Sequence, residues 1–373
     1  MVIRVYQMVL IGFVVAGCSK SAVPKDTAAP QEHSATPQLR LVRTVTLHET
    51  DSSFIGSPSA LWLGAHGAFF IADRFHKTVF RIDSAGAITA SFGRPGPGPG
   101  ELESPLQLIG LGDSALGVVD ETKRAIEIFS LSDGTFKRAR RYDGSVMSVA
   151  VDGPRVWMGG IGPRYGRGVK QWDLASDSIT YLVPLPGPYT RNGGLANFFY
   201  NVGVVPKGDK LVVGYSADRA ILVTNRDGAL VDSFAVPAIH RRGEPVDLEK
   251  RVDPKADMEF GQIVALTSVL FQIGLQADGA LVFVHFDYGF TPPRTITTKA
   301  FISVVSSDLS RACVDAELPQ EDPAVIPIAF QGDTLFTALQ RVGQNQRAET
   351  SLMGYLVDTS NCDWVPVSHG KLH

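Results

Sequence analysis

The sequence predicts an all-β chain, a six-bladed β-propeller of four-stranded blades whose ring is closed by an N-terminal strand. Three observations carry that reading. The 37 glycines and 23 prolines of the 373 residues fall as punctuation between short apolar runs, as expected of short strands joined by tight turns. Two sets of Asp/Asn/Gly turns interleave through the chain at roughly 45-residue intervals, the spacing of propeller blades. Helical patterning is nearly missing, with one candidate at Pro245–Arg251.

The chain opens with Arg4 and an apolar run, Met8 to Val15. The run is too short to cross a bilayer, which takes roughly 20 residues. A charged start, a short apolar core and a small-residue exit describe a secretory signal. The exit, Val15-Ala16-Gly17-Cys18, resembles the bacterial lipobox. That resemblance implies cleavage before Cys18, lipid on its thiol and attachment to a membrane. Ser19 in place of an Asp leans toward the outer membrane. Residues 18–38 are rich in Ser, Ala, Pro and charge and too poor in apolar groups to offset their ordering entropy. They read as a flexible tether between a signal peptide (1–17) and a propeller (39–373).

Within that body the strand Leu39–Leu47 precedes the first turn and has no hairpin partner, so it is expected to add to the last blade, residues 322–368. The first set of turns is Ala65-His66-Gly67, Leu111-Gly112-Asp113, Asp152-Gly153-Pro154, Pro206-Lys207-Gly208-Asp209, Ala277-Asp278-Gly279 and Gln331-Gly332-Asp333. The second is Asp83–Gly86, Leu131–Gly134, Ala175–Ser178, Asn225–Gly228, Ser307–Ser310 and Asp358–Asn361. Asp, Asn and Gly suit such turns because they tolerate positive φ or bond their own backbone. Each unit then reads strand, tight turn, strand, loop, strand, tight turn, strand.

Phe92-Gly93-Arg94-Pro95-Gly96-Pro97-Gly98-Pro99-Gly100-Glu101, followed by Ser104-Pro105, resembles the blade junction of NHL-type propellers. Val118-Val119-Asp120 with Lys123-Arg124, and Ile71-Ala72-Asp73 with Arg74 and His76-Lys77, continue the pattern. The resemblance covers about 54–130 and concerns fold rather than activity. Asp73 and Asp120 read as turn and blade-packing residues.

In this architecture the tight turns share one face, which is expected to offer little to a ligand. Long loops decorate the other: Gly93–Glu103, Gly159–Gly168, Pro186–Gly194, Ala238–Gln262, Asp287–Lys299 and Gly343–Ser351. Long loops in a compact body are commonly functional. Residues on them or at adjoining strand ends are the binding-face candidates: Arg74, His76, Arg124, Arg164, Tyr165, Asn197, Asn201, Tyr215, His285, Asp287 and Arg341. Arg and Tyr anchor protein interfaces, and forked Arg contacts suit anionic or sugar-like ligands.

A net charge of −3 without a Lys/Arg block gives no footprint for nucleic acid. No Gly-x-Ser-x-Gly elbow or His-Glu-x-x-His occurs, and prolines strip the Gly93–Gly100 run of the N–H groups a phosphate would use. The expected activity is therefore binding of a protein, peptide or small molecule, with no catalytic residue, metal or other cofactor. The alternative is a channel-centred, metal-dependent lactonase or lyase built around Asn197, Asn201 and His285. Cys313 and Cys362 each follow a turn between third and fourth strands of neighbouring blades. Outer strands there stand on the order of 20 Å apart, whereas a disulfide needs Cα atoms within about 7 Å, so both are expected as buried thiols.

Overall fold

The computed structural model describes residues 35–51, 53–162, 166–191, 199–243, 267–291, 295–319, 327–342 and 348–370. The signal segment, Cys18, most of the expected tether and the helix candidate at 245–251 lie outside them. A first strand, β1 (Gln38–Thr46), leads into blade one: β2 (Pro58–Leu63), β3 (Phe69–Asp73), β4 (Thr78–Ile82) and β5 (Ile88–Phe92). Blade two is β6 (Pro105–Leu111), β7 (Ala115–Asp120), β8 (Ala125–Ser130) and β9 (Phe136–Arg141). Blade three is β10 (Ser148–Asp152), β11 (Arg155–Gly162), β12 (Arg167–Asp173) and β13 (Ser178–Pro184), followed by a short helix α1 (Gly187–Arg191). Blade four is β14 (Val202–Lys207), β15 (Lys210–Tyr215), β16 (Ala220–Asn225) and β17 (Leu230–Ala235). Blade five is β18 (Ser268–Leu275), β19 (Leu281–Thr291), β20 (Thr295–Val305) and β21 (Arg311–Glu317). Blade six takes β22 (Ile328–Gln331), β23 (Thr334–Val342) and β24 (Ala348–Asp358), and β25 (Val365–Pro366) and β26 (Ser368–His369) end the chain.

Each blade is an antiparallel sheet, with its strands in chain order in blades one to five. Middle strands are apolar throughout because neighbouring blades cover both their faces: β7 and β8 are buried at every position, whereas outer β9, Phe-Lys-Arg-Ala-Arg-Arg, is mostly exposed. The apolar residues gather into six clusters, one for each contact between successive blades, including blade six against blade one. Small residues let the inner strands meet closely. A Cβ on Gly110 would strike the Trp62 ring at 2.3 Å, and one on Gly274 the Phe330 ring at 2.6 Å.

Both turn sets sit where the sequence puts them. The glycine of every first-to-second-strand turn is left-handed, from Gly67 (φ 73°) to Gly332 (φ 56°). In the third-to-fourth-strand turns an Asp or Asn side chain accepts backbone N–H groups, as Asp83 does from Ala85 and Ala87, and Asn225 from Asp227 and Ala229. A bulge next to that turn recurs in blades one, two, four and five, which bends and twists the outer strand.

Blade six obtains its fourth strand from the other end of the chain. β1 pairs antiparallel with β24 from Gln38↔Asp358 to Thr46↔Ser351, and Val45 and Leu47 enter the cluster between blades six and one. The carboxyl end is therefore released from blade six. β25 pairs with β21 of blade five and β26 with β17 of blade four, so the tail straps two outer edges that would otherwise be open.

That route overturns the expectation of two free thiols. Cys313 and Cys362 form a disulfide with Cα atoms 5.8 Å apart. The sequence argument placed Cys362 in an outer strand of blade six, but β1 holds that edge and the strap carries Cys362 over to blade five. Ala35 joins the same corner: its N–H donates to Asp363 Oδ2 and its carbonyl accepts from the Asp363 N–H. The chain is thus anchored three residues before its first strand, within the stretch read as tether.

Candidate functional site

The tight turns fix which face carries the links between second and third strands and between blades. On that face the outline is uneven. β3 and β4 of blade one have five residues each, whereas β19 and β20 of blade five have eleven each. The segment 287–299, expected as a loop, is largely the end of this hairpin, with Asp287 opposite Lys299 and Thr291 opposite Thr295. β23 and β24 of blade six are nine and eleven residues long. One side of the rim therefore stands higher than the other.

At the low side, Asp73 and Asp120 end the second strands of blades one and two, both fully buried. Asp73 accepts the N–H groups of Gly56, Ser57 and Phe75, and Asp120 those of Glu103, Ser104 and Lys123. Each carboxylate ties the incoming chain of its blade to the link that follows, which is why the pattern repeats. His76 Nδ1 lies 2.6 Å from Asp73 Oδ2, with its ring against Phe54 and Phe75. Arg74 reaches Ser104 Oγ at 3.2 Å and Glu121 at 3.8 Å. Arg124 is exposed and left-handed.

At the high side a charged group fills the junction of blades four and five. Asp287 pairs with Arg242 and lies 3.0 Å from His240 Nδ1, and the His240 ring stacks on Phe301 at 3.7 Å. Beneath it Arg241 is fully buried and donates to the Asp218 carbonyl at 2.6 Å. Burial pulls its guanidinium down to about 10, so it remains cationic at neutral pH. His285 is also fully buried, with Nε2 3.7 Å from Asp315 Oδ1 and no hydrogen-bond partner for either ring nitrogen. Burial, helped by Arg241, lowers its pKa and keeps the ring neutral. Burial alone would raise the Asp315 carboxyl, but the N–H groups of Ile239 and His240 that it accepts hold it below its ordinary value.

The sequence candidates divide accordingly. Arg74, His76, Arg124, Asp287 and Arg341 are half-buried or exposed on this face, and Asn201 is half-buried, its carbonyl accepting from Ser216. Two do not belong to a ligand surface. Tyr215 is buried between blades three and four, its hydroxyl donating to the Pro184 carbonyl at 3.2 Å, and His285 lies under Phe301. Both stand in strands whose two faces are covered by neighbouring blades. Arg164, Tyr165 and Asn197 lie outside the described residues. Sequence reasoning missed His240, Arg241 and Arg242. Their adjacency to a buried histidine depends on how blades four and five meet, which no local pattern records.

The channel holds a cavity of about 340 Å³ lined by the six innermost strands, with no Asp, Glu, Lys, Arg or His in its described lining. Among the described residues no three His, Cys, Asp or Glu gather within reach of one metal ion. No helix among the described residues is long and apolar enough to cross a membrane.

The class defined by these features is the six-bladed β-propeller, and comparison with solved structures agrees. A member of the DUF4221 family from Bacteroides vulgatus superposes with a TM-score of 0.61 at 11% identity, covering 90% of this chain and 99% of that one. A Bacteroides fragilis protein assigned as exported gives 0.58 at 11% identity over 86% and 95%. A catalytically inactive virginiamycin B lyase from Staphylococcus aureus, solved with quinupristin, gives 0.50 at 14% over 83% and 98%. These likenesses establish the fold. No family model and no curated protein matches the chain.

Proposed function

We propose that this is a lipid-anchored protein of the bacterial envelope whose propeller acts as a binding module through its loop-rich face, with a protein, peptide or small molecule as ligand. The observation that carries the reading is the raised rim of blades five and six. Their strands of nine to eleven residues are longer than those of blades one and two and carry Asp287 and Arg341 with them. The nearby Arg242–Asp287–His240 group adds polar side chains held in place before any ligand arrives, which lowers the ordering cost of binding. Export fits the disulfide, since such bonds persist in oxidising compartments. The lipobox-like Cys18 supplies the anchor, with the outer membrane favoured by Ser19.

A benzophenone amino acid placed at Arg124 or Arg341 in intact cells is expected to give discrete higher-mass adducts on irradiation. The same group at Asp113 or Asp209, in tight turns, is expected to give none. Adducts from the turns alone would overturn the proposal. Release of the protein from membranes by Cys18→Ala tests the anchor separately.

A further inference from the structure

The face opposite the rim was expected to be bare, yet the cavity lies toward it. Innermost strands run from the blade-connecting loops toward the tight turns. The lining reaches their turn-side parts at Leu63 of β2, Val151 of β10, Pro206 of β14, Leu275 of β18 and Gln331 of β22, while β6 contributes Gln107 and Leu108 at mid-strand and β10 also its first residue, Ser148. We propose that the tight-turn end of the channel is a second binding site, one for a small, neutral ligand that combines apolar groups with hydrogen-bonding ones.

The volume of about 340 Å³ falls in the range of small-molecule sites, and its wall sets Gln107, Ser148, Gln272 and Gln331 among Leu, Val, Ile and aromatic side chains. The aromatic walls are rigid. Trp62 packs against Gly110 of the next blade and Phe330 against Gly274 of the preceding one, which backs both rings with main chain. Val151 and Leu275 line the cavity while 42% and 38% exposed, large for apolar side chains, and an occupant would cover them.

The polar groups narrow the class. The Ser148 hydroxyl donates to the Val202 carbonyl at 2.6 Å and the Gln107 amide to the Met147 carbonyl at 2.9 Å, leaving the amides of Gln272 and Gln331 to meet a ligand. With no ionised group in the wall, a charged ligand would lose its hydration without a counter-charge. A neutral one loses little.

The test uses N-phenyl-1-naphthylamine, a neutral fluorescent probe small enough for the cavity, on the purified full propeller. Saturable one-to-one enhancement is expected. Val151→Trp and Leu275→Trp, which plug the cavity from two walls at exposed positions, should each weaken binding at least tenfold. Val231→Trp, on the outer strand of blade four, should leave it unchanged. The sulfonated analogue 8-anilinonaphthalene-1-sulfonate should bind at least tenfold more weakly than the neutral probe. The site is refuted by an absence of saturable binding, by plugs without effect, or by an equal loss in Val231→Trp. Equal affinity for the sulfonate would refute the neutral class.

Discussion

The strap makes a quantitative demand on the Cys313–Cys362 bond. The bond closes a loop with a sequence separation of 49. In the chain-entropy treatment a cross-link over about 49 residues removes roughly 14 cal/mol/K from the unfolded ensemble, or about 4 kcal/mol at 25 °C. Little offsets this in the folded state, because β25 and β26 hold the strap in register on either side of Val367 with or without the bond. Cys313→Ala/Cys362→Ala is therefore expected to lower unfolding stability by about 4 kcal/mol, with the native sheet content retained. Urea titration followed by far-ultraviolet circular dichroism measures the loss, and the reduced wild type should coincide with the double variant. A midpoint unchanged by reduction, or two free thiols counted in the native protein, would refute the account of the tail.

Three further outcomes follow from the same contacts. Deleting 38–46 strips β1 from β24 and uncovers a sheet edge and the cluster holding Val45. The truncated protein should aggregate, and light scattering indistinguishable from the full propeller would contradict ring closure by this strand. Asp120→Ala orphans the N–H groups of Glu103, Ser104 and Lys123, so at roughly 1–3 kcal/mol for each unsatisfied buried group it should cost about 3 kcal/mol or more in urea unfolding. A loss below about 1 kcal/mol would show that the carboxylate does not hold the junction. His285 has its pKa lowered by burial, so below about pH 6.5 the unfolded chain binds a proton that the folded one refuses, and stability falls with falling pH. His285→Phe should flatten that slope in thermal melts between pH 6.5 and 5; an unaltered slope would assign the pH dependence elsewhere.

How much of this was legible depends on the range of the interaction. Turn chemistry is local, so the six left-handed glycines and the Asx turns gave the blade count and the strand order without a structure. Asp73 and Asp120 were readable as packing residues because their partners lie within 17 residues. The disulfide was not, since local pattern does not say where the tail goes once the N-terminal strand takes the fourth place in blade six, and it goes to blades five and four. Polar signals in Asp287-Tyr288-Gly289 looked like a loop but belong to a hairpin whose cross-strand partners begin at Thr297. Tyr215 and His285 were misplaced for a related reason: alternation along a strand does not reveal that both its faces are covered by neighbouring blades. The cavity required six inner strands to be aligned, information that exists only in the closed ring.

The central claim, that the protein works by binding through its loop-rich rim, is tested most directly by hydrogen–deuterium exchange. The intact protein in its own membranes is compared with the purified propeller. The account predicts at least tenfold slower exchange in the membrane-bound sample for Phe286–Thr291, Thr295–Ala300 and Ala348–Leu352, with the tight turns at 64–68 and 111–115 unchanged. Equal exchange throughout, or protection confined to the tight turns, would contradict it.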